Sequence, residues 1–142
     1  MIFGLFGRKK EIHMIDDGLR RCGAFSSSIP DAVKLTLWRL AKNRELLRED
    51  SEAVLIDLAS FLTYCFMGEE DFAEENGAEY SQKMRKRLEL TQVFDDGIDA
   101  EIVLLALHSG IAHGSTAGRF SVELPENDLE KEQSFSASDE RK

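Results

Sequence analysis

Apolar residues return along this chain at three- and four-residue steps, and that rhythm predicts helices. Ile12, Ile15, Leu19 and Cys22 define one face over residues 9–23. In "SIPD" the sequence offers Ser28 as N-cap, Pro30 in the first turn and Asp31 three residues after the cap. Behind it, Val33, Leu37, Leu40 and Ala41 form a second face through about residue 48, with Trp38 on its flank. A third helix is predicted over roughly 51–67 from Leu55, Leu58, Ala59, Leu62, Cys65 and Phe66, ending at Gly68 in the position of a C-terminal cap. The fourth, about 69–90, opens with acids and closes with bases, which suits the helix dipole. Its stripe of Ala73, Tyr80, Met84 and Leu88 is thin, and a peripheral position follows. The fifth, about 98–113, is apolar nearly all round from Ile102 to Leu107, and this places it at the centre.

The expected fold is therefore all-α: a compact bundle of about five helices with a central apolar C-terminal helix. Residues 1–120 read as one domain, and 142 residues can bury a core without staples. Two prolines and ten glycines are few for a turn-rich β chain. Residues 121–142 carry seven acids against three bases, and their composition predicts a disordered acidic tail.

A formal charge of −9 argues against nucleic acid as a partner, because an acidic surface repels phosphate. Two basic clusters stand against that balance, Lys34, Arg39, Lys42, Arg44 and Arg48 on the second helix and Lys83, Arg85, Lys86 and Arg87 on the fourth. Both are expected to be solvated faces. Cys22 and Cys65 form no CxxC pair and read as reduced core thiols of a cytoplasmic protein. No run of 18 apolar residues suits a spanning helix, and "MIFGLFGRKK" lacks the order of a secretory signal. That same stretch places Ile2, Phe3, Leu5 and Phe6 before Arg8, Lys9 and Lys10. The arrangement suits either docking on the domain's own core or a peripheral contact with an anionic membrane or a partner.

The densest candidate chemistry is "ALHSGIAHGSTAGRF", residues 106–120. Ala106, Gly110, Gly114 and Gly118 recur every four residues, and on a continuous helix they would form a ridge for close approach of a second backbone. "GSTAGR" lacks the Lys-Ser/Thr of a phosphate loop and follows a helix C-terminus, where carbonyls repel anions. His108 and His113 stand five apart and cannot clamp one metal from one helical face, and neither HExxH nor Glu-x-x-His occurs. Ser109 is not in a G-x-S-x-G elbow. The acids Glu69, Glu70, Asp71, Glu74 and Glu75 have no EF-hand spacing and read as a solvated helix start.

No metal, cofactor or catalytic residue is expected. The function expected is that of a small cytoplasmic interaction or adaptor protein, with a homodimer among the candidate assemblies. The interaction candidates are Ile2, Phe3, Leu5, Phe6, Ala106, Gly110 and Gly114. The alternative is a histidine phosphotransfer or regulatory protein using His108 or His113.

Overall fold

The computed structural model describes residues 9–121. Among these residues the fold is all-helical: α1 (Lys9–Arg21), α2 (Asp31–Asn43), α3 (Ser51–Met67), α4 (Glu69–Asn76), α5 (Ala78–Thr91), α6 (Ile98–His108) and α7 (Gly114–Ser121), with one 3-10 turn at Ser26–Ser28. Of the five expected segments, one is divided and one is cut short. The 69–90 segment breaks at Gly77, whose φ of +96° is left-handed and stops the ladder. The 98–113 segment stops at His108, where Gly110 turns the chain at φ +80° before α7 begins.

The helix surrounded by its neighbours is α3, which packs against α1, α2, α4, α5 and α6. Every residue from Leu58 to Cys65 is buried. Two of these are polar, and both satisfy their hydroxyls inside the helix: Ser60 Oγ donates to the Ile56 carbonyl at 2.8 Å and Thr63 Oγ1 to the Ala59 carbonyl at 2.7 Å. This corrects the expectation that the apolar C-terminal helix is central. In α6, Ala100, Ile102, Val103 and Ala106 are buried, but Leu104 is 48% exposed, so one side faces water.

The tightest seam joins α1 to α3. Ile15 and Leu19 are fully buried, and Gly18 lies between them. A Cβ on Gly18 would stand 2.7 Å from Ala59 Cβ and 3.1 Å from the Ile56 carbonyl oxygen, so the two helices meet there backbone to backbone. Small residues do form a close-contact seam in this protein, at Gly18 and Ala59.

The start of α2 differs from expectation. Its N-cap is Pro30, whose carbonyl accepts from Val33 N at 3.0 Å and Lys34 N at 3.2 Å, and no side chain caps the helix. Ile29 is extended, as a residue before proline prefers, and this holds Ser28 outside the cap in the preceding 3-10 turn. A side-chain cap appears instead on α3, where Asp50 accepts from Ala53 N at 3.2 Å.

Two bases expected in water are built into seams. Lys34 is 3% exposed, and its Nζ lies 2.8 Å from Asp16 Oδ1 of α1, a charge contact without aligned hydrogen-bond geometry. Arg87 of α5 donates to both oxygens of Asp99 at 2.9 Å and to Asp57 at 3.1 Å, with its guanidinium 4.6 Å from the Phe61 ring centroid. Burial pulls its pKa down, but Asp99 and Asp57 more than offset this and leave it raised. One residue thus fastens α3, α5 and the start of α6. Aromatic contacts continue the same joint, with Tyr64 edge-on to Phe72 at 5.4 Å and Phe72 tilted against Tyr80 at 5.6 Å.

Candidate interaction surface

The end of α5 carries Leu90, Val93 and Phe94, a three- and four-residue spacing that continues past the last helical turn, with Val93 N and Phe94 N both donating to the Leu90 carbonyl. A helix that buried this side would shield them. Here Val93 is 72% exposed, Phe94 64% and Leu90 55%. The core side of α5 is instead supplied by Ser81, Met84, Leu88 and Thr91.

Next to this end, Thr91, Gln92 and Asp95 face Ala100, Val103 and Leu104 of α6 across a groove of about 280 Å³, to which α7 adds Phe120. Ala100, Val103 and Thr91 are buried and form its floor, while Leu104 rises at the rim. The acid Asp95 stands in the wall, and no ion pair engages it among the described residues. The arrangement is a mainly apolar concavity with apolar shoulders and little polar chemistry converging on one point.

The hinge between α6 and α7 holds the histidines. His108 ends α6 and is exposed. His113 is the residue before α7, and it joins two helix ends. Its N–H donates to the Cys65 carbonyl at 2.9 Å, covering the C-terminal end of α3. Its Nδ1 accepts from Ser115 N at 3.0 Å, as an N-cap side chain does, and a backbone N–H can only donate, so the ring proton sits on Nε2. The imidazole lies over Gly68, where a Cβ would come within 2.6 Å of Nδ1. Both histidines are thus part of helix ends, one terminal and one a cap.

Ala106 is buried on α6, but Gly110 and Gly114 do not extend it into a ridge. Gly110 lies in the turn, Gly114 begins another helix, and a Cβ on either, or on Gly118, would meet nothing within 4 Å. The four-residue spacing carries no packing meaning, because the helix ends at His108 and Gly110 is left-handed. Ile2, Phe3, Leu5 and Phe6 lie outside the described residues, as does the acidic tail from residue 122.

Both cysteines are free and buried. Burial, with a smaller contribution from Asp99, pushes the Cys65 thiol up to about 12, and burial also raises Cys22. At neutral pH both are protonated thiols inside a core. Among the described residues no three His, Cys, Asp or Glu side chains are gathered to hold a metal ion, and no helix is long and apolar enough to cross a membrane.

No family model matches the chain, and neither a curated protein nor a solved structure is found similar to it. The reading of this surface therefore rests on its own chemistry. What sequence pattern missed is the α5 end: Leu90, Val93 and Phe94 fall between a helical stripe and the "DDG" break, where periodicity is weakest. The available signal was the apolar triplet itself, set beside three loop-forming residues.

Proposed function

We propose that this chain is a small cytoplasmic helical interaction protein, without catalysis of its own, that docks through the end of α5 and the adjoining face of α6. The observation that carries the reading is the exposure of Leu90, Val93 and Phe94 at the end of α5, next in the chain to Thr91, Gln92 and Asp95, which line a mainly apolar groove together with the exposed Leu104. Exposed large apolar groups gathered in one place are the mark of a contact surface, whereas scattered ones are ordinary. A second copy is the partner to which we assign it first, since one apolar patch can meet itself about a two-fold axis.

The test is light scattering on the full chain and on Val93→Ser/Phe94→Ser. Both positions are exposed in the single chain, so the unfolding free energy of the monomer, measured at high dilution, should move by less than about 0.5 kcal/mol. Mass should fall from dimer to monomer in the variant. A monomeric parent chain would remove the second copy as partner. If, in addition, capture from the native cell returned the same proteins with parent and variant, the surface would be wrong altogether.

A further inference from the structure

Along the water-facing side of α5, Lys83, Lys86, Leu90 and Val93 recur at steps of three, four and three, and Phe94 follows in the next turn. All five are exposed. Charge divides this stripe into three parts. The two bases stand before Leu90, the apolar side chains come next, and two exposed acids, Asp95 and Asp96, follow Phe94. Among the described residues no salt bridge engages any of these four charges, although Arg44 is near enough to Asp96 to feel its charge. The other charges of the helix are already engaged: Arg85 pairs with Glu69, Arg87 with Asp99, and Glu89 lies 3.9 Å from Arg119.

We propose that two copies of this chain dock with their α5 helices antiparallel about a two-fold axis near Leu90, so that Lys83 and Lys86 of each copy meet Asp95 and Asp96 of the other. This rests on the self-association proposed above and adds to it an orientation and its charged contacts. In an isologous pair, a group some distance before the axis faces the group equally far behind it. At the helical rise, Lys86 and Lys83 lie about 6 and 10 Å before Leu90. Asp95 and Asp96 come five and six residues after it, a comparable distance on the other side. Reversal therefore sets unlike charges together, whereas a parallel pair would set lysine on lysine and aspartate on aspartate. The apolar stem of Lys86 covers Phe94 of the other copy while its ammonium reaches toward Asp95. Other occupants satisfy half of the stripe. An anionic membrane suits the lysines but is repelled by the aspartates, and a basic partner has the opposite difficulty. A second copy presents both signs in reversed order by symmetry alone.

Charge reversal on the full chain, followed by analytical ultracentrifugation at low salt, tests the register. Lys83→Glu/Lys86→Glu and Asp95→Lys/Asp96→Lys each place like charges at both ends of the pair, so each should weaken the dimer at least about tenfold. The four changes combined in one chain restore opposite signs and should return the dissociation constant to near its parental value. Mixed together, the two double variants should form a heterodimer in native mass spectrometry under conditions where neither associates alone. In 1 M salt, where the Debye length is about 3 Å, these differences should shrink. All four positions are exposed, so circular dichroism should show the fold retained. If Asp96→Lys disturbs the bond from Arg44 to the Asp96 carbonyl, Asp95→Lys with Lys86→Glu makes the same test. A parent dimer that Val93→Ser/Phe94→Ser dissociates, but that is indifferent to both reversals or is not rescued by their combination, overturns the antiparallel register and leaves the docking surface standing. A monomeric parent overturns both. Should that monomer sediment with phosphatidylserine vesicles and lose this in Lys83→Glu/Lys86→Glu, the stripe belongs to a membrane instead.

Discussion

The α1–α3 seam and the α6–α7 hinge are both rich in small residues, and they use them for opposite purposes. At the seam, Gly18 is where it is because Ala59 and the Ile56 carbonyl leave no space for a side chain. At the hinge, Gly110 has open space on every side and is needed for its left-handed φ. One glycine answers a demand of packing, the other a demand of the backbone. Spacing in sequence does not separate the two cases; what faces the missing Cβ does.

Alkali gives the largest contrast, since it attacks only the packed side. Burial raises Tyr64 from 10.0 to about 12, with Glu69 adding to it, and Cys65 from 9.0 to about 12. Both are acids whose neutral form the fold prefers, so the unfolded chain gives up their protons first. Their contribution to stability is complete below about pH 9 and is lost as pH climbs toward 12. Denaturation midpoints measured across that range should fall steadily. A flat profile would mean that neither side chain is enclosed as described.

Gly18→Leu comes next. Forcing a leucine between α1 and α3 should cost at least the upper part of the roughly 1–3 kcal/mol range for overpacking, read from chemical denaturation. Gly18→Ala is the sharper version. Helix propensity alone favours alanine by about 0.8–1 kcal/mol, yet contact with Ala59 should make the change destabilising. A gain in stability would break the seam.

Gly110→Ala should lose a smaller amount, about 0.5–1 kcal/mol, from the left-handed backbone after the unfolded-state gain is subtracted. Gly110→Asn should recover most of it, because asparagine tolerates that conformation. Asparagine at position 18 should recover nothing, and the pair of results separates backbone demand from packing demand. An effect of similar size but opposite sign is expected at Gly118 inside α7, where alanine has room and should stabilise by about 0.5–1 kcal/mol. Loss there would show a neighbour closer than the structure has it.

Legibility followed the range of the interactions. The limits of α3 were readable because its apolar rhythm and its stop at Gly68 are both local. The break at Gly77 was also signalled locally, by Asn76-Gly77, but a peripheral stripe ran across it and suggested continuity. Lys34 and Arg87 were misplaced in water because their carboxylate partners, Asp16 on α1, Asp57 on α3 and Asp99 on α6, are set by tertiary packing. The true small-residue contact, Gly18 with Ala59, joins positions far apart in sequence and repeats at no period. The exposed α5 end was obscured for a related reason, since an apolar triplet does not say whether anything covers it.

The hinge has a consequence for how the molecule opens. The eight residues of α3 from Leu58 to Cys65 are all buried, so their amides should exchange with solvent only when the whole bundle comes apart. The last helix is attached differently: the His113 amide on the Cys65 carbonyl, Gln92 Nε2 on the Arg119 carbonyl at 3.2 Å, and a loose ion pair between Arg119 and Glu89 at 3.9 Å. Releasing these links, together with the packing of the buried Thr116, would lift Phe120 from its groove while α1, α3 and their seam remain intact. In deuterium exchange, α7 should therefore report a separate, low-energy opening, and a protease should cut there before it cuts the bundle.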